Sequence, residues 1–295
     1  MKFDRPARRK IFSHGMTVLS GLSVVVILIP LIAVVYECVV LGGSVFNVTF
    51  FTHGIPYPCS PRPGVTCQQG GIAPAIQGTF IMMGLASLVA VPIGVGAAIF
   101  AVEYGGQRAA ARVIGMAADV LAGVPSIVAG VFIYSLMVIY DPTITFSTLS
   151  GGLALSIIMV PIVTRTTEEA LRTVPNSVRE AALALGISRW KTSVRIVLIA
   201  ALPGVLTGIL LGFARAAGDA AALLIVDGGG LYGFTGWGSQ VAAVPIWMFI
   251  FADSPDQNWI TLAWGAGLFL ILLCLGLSLI SRYVLSRMAR RMRGE

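Results

Sequence analysis

The chain has 295 residues, of which 57% are hydrophobic and only 11% are charged, and its mean hydropathy is +0.89. A soluble domain has an apolar share nearer to half and a charged share of about a quarter, so this composition excludes an ordinary soluble protein and predicts an integral membrane protein. The formal net charge of +7 does not indicate nucleic-acid binding. The basic residues lie beside apolar runs, as they do on the cytoplasmic side of membrane proteins.

The first apolar run, at about residues 17–41, is long enough to cross about 30 Å of hydrocarbon as a helix. Basic residues precede it, which predicts a cytoplasmic N-terminal segment at 1–16 and a first transmembrane anchor helix at 17–41. A cleaved signal peptide is the alternative, but the run is longer than the core of about 7–15 residues that such peptides carry.

The next segment, residues 42–74, is predicted to be an extracytoplasmic loop. It contains Cys59 and Cys67, which lie eight positions apart. On an oxidising face of the membrane this pair would form a disulfide that closes a small loop, and two free thiols are the alternative.

Further apolar runs raise the predicted number of transmembrane helices to six and give an all-α, polytopic fold. Pro125 lies well inside the third run and predicts a bent or interrupted helix there, since proline removes a backbone donor from a helix. A bend at Pro125 and Ser126 beside a path through the protein is one interpretation, and a packing kink is the preferred one. The later runs lie at about 74–102, 113–140, 148–163, 200–226 and 258–281.

An outer segment, residues 227–257, separates the last two spans and has acidic but no basic residues. Its apolar pieces are too short to cross, so it is predicted to be a loop with a re-entrant or interfacial part. Its aromatic residues Trp237 and Trp247, with Trp259 just beyond it, are interpreted as interface anchors; a docking surface for another protein is the alternative.

The distribution of charge supports this topology. Of the 20 basic residues, all fall on the predicted inner face except Arg62, which is outside, and Arg215, which is within the membrane. Both termini are therefore predicted to be cytoplasmic.

Motifs for catalysis are absent from the sequence. There is no G-x-x-x-x-G-K-[ST] phosphate loop, so the chain is not expected to hydrolyse ATP, and no G-x-S-x-G nucleophile elbow. The two histidines, His14 and His53, are predicted to lie on opposite sides of the membrane, and no metal site is expected.

The longest cytoplasmic segment, residues 165–198, contains Glu180, Ala181 and Ala182 followed by Gly186. This pattern predicts a short helix with a small-residue face and a glycine at its end. A simple loop helix is one interpretation; a helix that another protein approaches closely is the other.

These residues resemble the cytoplasmic loop of the membrane subunits of bacterial ABC importers. More narrowly, segments 161–186, 124–132 and 213–224 are similar to the phosphate-importer permeases of the PstA family, and the resemblance covers about residues 70–285. It implies the permease fold of ABC type I importers, with a permease domain at 75–284 and a basic cytoplasmic tail at 285–295.

The resemblance also implies partners and a location. The chain would pair with a homologous permease, PstC, on two PstB ATPases that hold ATP and magnesium, and would receive inorganic phosphate from the extracytoplasmic binding protein PstS. It would cross the bacterial cytoplasmic membrane, in contact with lipid and without nucleic acid. The Glu180–Gly186 loop would be the coupling helix that docks on an ATPase.

Two ionisable residues lie in the fifth predicted span, Arg215 and Asp219. On a continuous helix they would share one stripe with Gly204, Gly208 and Gly212, which favours a position facing protein. One interpretation is a structural ion pair. The other is a substrate path in which Arg215 offers its planar guanidinium to phosphate and Asp219 orients it; the family usually has glutamate where this chain has Asp219.

Other polar residues have two interpretations each. Arg165, Thr166 and Glu168 would form an inner gate or, preferably, a solvated helix start. Glu103 would contact the ATPase or another loop, or be a charge at a helix end.

Two functional alternatives remain open on the sequence. One is a permease for another oxyanion or a phosphonate, because one arginine does not distinguish these anions from phosphate. The other is a non-transporting membrane scaffold or sensor subunit, in which the charged pair is structural.

Overall fold

The computed structural model describes residues 5–55, 70–105 and 109–293, so Cys59 and Cys67 lie outside the described residues. The long helices α1, α3, α6, α9 and α12 form a bundle, and shorter helices connect them. The helices are α1 (Arg5–Gly42), α2 (Val48–Thr52), α3 (Ala73–Ile99), α4 (Ala109–Gly123), α5 (Ser126–Tyr140), α6 (Thr148–Arg172), α7 (Asn176–Ala184), α8 (Arg189–Lys191), α9 (Leu198–Ala217), α10 (Ala221–Val226), α11 (Val244–Ala252) and α12 (Gln257–Arg293).

Five continuous helical stretches among the described residues are long and apolar enough to cross a membrane, and α4 with α5 makes a sixth span if the bent pair counts as one. The all-α fold with six spans is therefore confirmed. The helices run past several predicted span ends. Thus α1 begins inside the predicted N-terminal segment, and α12 continues to Arg293.

The centre of the bundle is α6, against which α3 and α9 pack closely. The packing depends on glycine, because a Cβ added at Gly94 of α3 would lie 2.9 Å from Val163 of α6. In the contact of α6 with α9, a Cβ at Gly204 of α9 would lie 2.6 Å from Ala170. Such small residues let helix backbones approach each other, which is how helices associate within a membrane.

The third span is broken rather than kinked. The axes of α4 and α5 differ by 105°, and Pro125 between them has an extended backbone with ψ of 136°. The interrupted helix predicted at Pro125 is therefore confirmed, whereas a simple packing kink, the preferred interpretation, is wrong because the helix stops and starts again in a new direction.

The fifth span is also broken, against the prediction of one continuous helix at about 200–226. Helix α9 ends at Ala217, and α10 begins at Ala221. Asp219 lies in the break, where its Oδ1 accepts the Ala222 backbone N–H at 3.1 Å. Because Asp219 caps the new helix in this way, it does not belong to the glycine stripe of α9.

The outer segment folds back onto the bundle. Its extended part reaches α3, where the Thr79 hydroxyl accepts the Val244 N–H at 2.9 Å. Trp247 is fully buried and donates its indole N–H to the Gly230 carbonyl at 3.0 Å. Its interpretation as an interface anchor is wrong, because it packs inside the protein. Trp237, by contrast, is 52% exposed.

Candidate functional site

Helix α7 contains the glutamate-alanine-alanine pattern and ends as the sequence predicts. Gly186 has a φ of +76°, and its N–H donates to the Leu183 carbonyl at 3.0 Å while the Ile187 N–H donates to the Ala182 carbonyl at 3.2 Å. This pair of bonds is the Schellman motif, which requires a left-handed residue after the helix. Glycine is therefore needed for its backbone conformation, since a Cβ there would meet no atom within 4 Å.

The loop around α7 leaves an apolar surface uncovered. Ala182 is buried against the bundle, while Leu183, Leu185 and Trp190 are 48%, 81% and 64% exposed. Glu180 and Ala181 are also exposed. An exposed cluster of apolar side chains of this kind is typical of a surface that contacts another protein.

Arg179 fastens α7 to the end of the second span. Its guanidinium donates twice to Glu103 Oε1, at 3.0 and 2.8 Å, and also to the carbonyls of Val174 and Leu171 at 2.6 and 2.9 Å. Both charged side chains are largely buried, at 18% and 7% exposed. Glu103 is thus not a simple charge at a helix end, because it anchors a segment 76 positions away in the chain.

The segment after α7 leads without interruption into the fifth span. Residues Thr192–Val197 form a π-helical stretch between α8 and α9, so the helix is continuous from Arg189 to Ala217. Arg189 donates to the Glu103 carbonyl at 2.9 Å, and its guanidinium lies 5.5 Å from the centre of the Tyr104 ring. Arg179 of α7 and Arg189 of the α8–α9 helix therefore both contact Glu103.

Arg165 is a brace between helices. It donates to Asp119 Oδ1 at 2.8 Å and to the Gly115 carbonyl at 2.6 Å on α4, and to Glu168 on its own helix at 2.7 Å. Glu168 is only 3% exposed. The preferred interpretation as a solvated helix start is wrong. These residues lie inside α6, which continues to Arg172, and Glu168 is among its buried residues.

Thr166 also lies in a helix contact. Its hydroxyl donates to the Ile162 carbonyl at 2.8 Å, and a Cβ added at Gly208 would clash with that hydroxyl. Thr166 therefore sets how closely α6 and α9 approach. Whether the set Arg165, Thr166 and Glu168 acts as a gate stays a prediction.

Arg215 and Asp219 meet where the two broken spans come together. Arg215 donates from one terminal nitrogen to Asp219 Oδ2 at 3.0 Å and from the other to the Ser126 hydroxyl at 3.2 Å. The Arg215 side chain is 50% exposed, whereas that of Asp219 is 4% exposed. Ser126 is the first residue of α5, so the arginine lies beside a helix N-terminus that begins inside the membrane span.

A small cavity of about 70 Å³ lies next to this pair. Arg215 and Ser126 contribute its polar atoms, and apolar residues of α4, α5 and α6 form the rest of the lining. The arrangement holds a half-exposed guanidinium in one orientation, with one side fixed by a buried carboxylate and the other side held only by a neutral hydroxyl. Such a guanidinium can bind an anion by giving up its hydrogen bond to the Ser126 hydroxyl and donating to the anion instead.

The contact of α5 with α10 was not predictable from the sequence. A Cβ added at Gly130 would lie 2.7 Å from the Ala222 carbonyl, which shows that the second halves of the two broken spans pack closely together. Ser126 was noted only for the bend at Pro125. Its contact with Arg215 joins residues 89 positions apart, and no local pattern signals such a partner.

Metal ligation has no support in the described ranges, where no group of three or more His, Cys, Asp or Glu side chains could hold a metal ion.

Residues 90–292 match the family described as "Binding-protein-dependent transport system inner membrane component". The chain is 42% identical over 220 residues to a protein of Xylella fastidiosa strain 9a5c named "Phosphate transport system permease protein PstA", with 75% of this chain and 76% of that protein covered. It is 37% identical over 294 residues to "Phosphate transport system permease protein PstA 1" of Mycobacterium tuberculosis strain H37Rv, covering 96% and 91% of the two chains.

A solved structure shares the fold. It is described as an inward-facing conformation of the MetNI methionine ABC transporter, and it aligns with a TM-score of 0.56 over 74% of this chain and 94% of its own. Only 17% of the aligned residues are identical, so the likeness shows the architecture of an ABC importer permease and nothing about the substrate.

Proposed function

Because the chain belongs to the family of binding-protein-dependent transport system inner membrane components, we propose that it is the permease subunit through which an ATP-driven importer moves inorganic phosphate into the cell. The substrate follows from the relatives, which are named phosphate transport permeases and match most of their length. The chain is a multi-pass membrane protein that works with other transporter subunits.

The observation that carries the proposal is the position of Arg215. It lies where α4 gives way to α5 and α9 gives way to α10, so two interrupted spans place helix ends beside it. Ionisable residues inside spans are costly and usually face a protein interior or a water-filled path. Interrupted helices with their N-termini at mid-span are a recurring way in which transporters hold an anion.

The ion pair would make phosphate binding reversible. Asp219 keeps its own anchor, the N–H of Ala222 at 3.1 Å, and therefore stays in place when Arg215 turns to a new partner. An arriving phosphate would replace the Ser126 hydroxyl on the free side of the guanidinium, where a planar fork of donors matches two phosphate oxygens. The negative charge of Asp219 would then oppose prolonged binding, because like charges repel.

The α7 segment would couple this site to ATP hydrolysis. Glu180, Ala181 and the exposed apolar residues beside them would dock on an ATPase, with Ala182 and Gly186 supporting the helix from within. Since the helix from Arg189 runs about 40 Å to Arg215 at 1.5 Å per residue, a rigid displacement of α7 would reach the path. α7 is also tied to α3 through Glu103, so both helices would move with it.

The remaining parts of the complex follow from the PstA relatives. The partners would be PstC as a second permease, two PstB ATPases that hold ATP and magnesium, and PstS as the extracytoplasmic binding protein. The chain itself would hold no cofactor. Both termini would be cytoplasmic, with a permease domain at 75–284 between the anchor and loop of residues 17–74 and the basic tail at 285–295.

Uptake of radiolabelled phosphate tests the substrate. Vesicles containing the complete complex, with the binding protein outside and ATP inside, are expected to accumulate phosphate, and unlabelled phosphate should compete far better than sulfate, molybdate or a phosphonate. Better competition by another anion would assign that anion instead. Absence of uptake of every anion tested would favour the scaffold or sensor function.

A further inference from the structure

A second polar cavity, here named the α7 cavity, lies beside α7 and far from Arg215. Its volume is about 450 Å³. The π-helical stretch Phe100–Tyr104 that follows α3, the end of α6, one face of α7 and the start of the α8–α9 helix each contribute side chains. The polar residues that line it are Glu103, Arg172, Asn176, Arg179, Arg189, Thr192 and Ser193.

The charges around the α7 cavity are unbalanced. Three guanidinium groups surround it with a single lining carboxylate, that of Glu103. Glu103 already accepts two hydrogen bonds from Arg179, so this pair forms a fixed and nearly neutral wall. Arg172, whose carboxylate neighbour Glu168 lies 4.0 Å away and outside the lining, and Arg189 therefore have no carboxylate of their own in the cavity lining.

These two arginines keep most of their donors available. Arg172 is 69% exposed, and its ion-pair contact within the described residues is with Glu168 at 4.0 Å. Arg189 donates one N–H to a backbone carbonyl at 2.9 Å, a neutral partner that leaves its charge uncompensated. Guanidinium groups with free donors are well matched to phosphate oxygens, which accept two parallel hydrogen bonds from one arginine.

Neutral polar groups complete the lining. Asn176 begins α7, and Ser193, whose hydroxyl donates to the Arg189 carbonyl at 3.0 Å, lies one turn after Arg189. From this set of donors and the excess of positive charge, we propose that the α7 cavity binds a phosphate-type oxyanion. The anion is either a free phosphate or phosphate ester from the aqueous side or the headgroup of an anionic phospholipid, since basic pockets near the cytoplasmic ends of spans also bind such headgroups.

An occupied α7 cavity would change how α7 is held. On this face α7 is tied through Arg179 to Glu103 and to the carbonyls of Leu171 and Val174. A bound anion contacting Arg172 and Arg189 would add a bridge between the end of α6 and the start of the α8–α9 helix, on either side of α7. The ligand would thereby restrain the segment whose movement transmits force to the spans.

Equilibrium binding of radiolabelled inorganic phosphate tests the proposal. The full-length chain is placed in nanodiscs of neutral phosphatidylcholine and carries Arg215→Gln, so that the proposed transport site does not contribute. We expect saturable binding that Arg172→Gln weakens about tenfold or more, because one charge-assisted pair is lost. Lys191→Gln is the matched control, since Lys191 is exposed, lies close by and does not line the cavity.

A second arm distinguishes the lipid from the free ion. If the occupant is a headgroup, phosphatidylglycerol will be retained through purification by the parent and by Lys191→Gln and will be lost from Arg172→Gln/Arg189→Gln, while inorganic phosphate binds weakly throughout. Both arginines are exposed, so neutral replacements leave no buried charge, and thermal unfolding checks the fold. Binding of neither ligand by the parent, or equal binding by the double variant, would overturn the proposal whether or not the chain transports phosphate.

Discussion

Arg215 shows how the environment of one residue separates a structural ion pair from a binding group. Here the carboxylate is 4% exposed and the guanidinium side chain 50% exposed, so the arginine alone of the two partners is open to another ligand. Asp219 is held by a backbone N–H and orients Arg215, and Arg215 retains an accessible side. The asymmetry favours a role for the arginine beyond stability.

Replacing Asp219 tests the idea that it limits how long phosphate stays bound. Asp219→Asn keeps an oxygen to accept the Ala222 N–H but removes the competing negative charge. We expect a lower apparent KM for phosphate together with a lower maximal uptake rate, measured in vesicles. Asp219→Glu restores the charge and is expected to recover most of the maximal rate. An Asn variant whose KM and rate both match the native values would contradict this role.

Asp227 provides a prediction about pH, because its side chain is fully buried at the start of the outer segment. Burial raises the pKa of Asp227 from 3.8 to about 6, although the backbone N–H groups of Val241 and Gly230 act in the opposite direction. The folded protein therefore binds this proton more tightly than the unfolded chain does. The stabilisation is complete below about pH 4 and is lost as the pH rises through 6, in total about 3 kcal/mol.

The expected result is a difference between native protein and Asp227→Asn that depends on pH. As the pH rises from 5 to 7, the native unfolding midpoint should fall relative to that of the variant, because only the native side chain must ionise in a buried place. Thermal unfolding in detergent at several pH values measures this. A difference that stays constant across the range would show that Asp227 ionises normally.

At the scale of the elements, the contact of α6 with α9 decides the geometry of the bundle. Gly204, Gly208 and Gly212 lie against Ala170, Thr166 and Met159, so the glycine stripe predicted from the sequence faces another helix of the same chain. The periodicity was sufficient to identify the stripe. It could not show that α9 ends at Ala217, because the residues after the break are as apolar as those before it.

Gly208→Ala tests this packing. The added methyl group would clash with the Thr166 hydroxyl in the middle of two rigid helices, and we expect a loss of stability of about 1–3 kcal/mol from overpacking. Gly84→Ala in α3 is the control, since a Cβ there meets no atom within 4 Å and alanine favours a helix. Equal thermal stability of the two variants would contradict the close α6–α9 contact.

Gly186→Val tests the turn after α7. A β-branched residue at a φ of +76° costs about 1–2 kcal/mol or more, so α7 should lose its fixed relation to the α8–α9 helix. We expect ATP hydrolysis that no longer drives phosphate uptake, or loss of ATPase attachment. Gly186→Asn should behave like the native protein, because asparagine tolerates this conformation. Normal uptake by the valine variant would show that the turn is not needed.

Considered as a whole, the chain combines features that sequence patterns predict well with contacts that they do not. Hydropathy and the placement of basic residues predicted six spans, since these depend on local composition. The ties of Glu103 to Arg179 and of Arg165 to Asp119 join residues 76 and 46 positions apart. Each of these side chains has a plausible local interpretation, and only the folded arrangement shows its partner.

As a whole, the molecule is a helical bundle. The proposed coupling segment, α7, lies at one end, and the proposed anion site lies at two helix breaks. α7 is joined by an ion pair to Glu103, in the stretch that follows α3, and residues 185–188 link it to the α8–α9 helix that carries Arg215. Because α9 also packs on α6 along its glycine stripe, α3, α6 and α9 would move together when α7 moves. The breaks beside Arg215 are where such a movement would change access to phosphate.

ATP-dependent phosphate uptake by Arg215→Gln tests the central claim most directly. The matched control is Arg195→Gln, the same substitution at an exposed arginine in the same continuous helix. With both complexes assembled to the same extent, Arg215→Gln is expected to lower uptake at least about a hundredfold, because the charged donor that phosphate would meet in the path is lost, while Arg195→Gln retains uptake. Native uptake by an assembled Arg215→Gln complex would contradict the assignment of Arg215 to the substrate path.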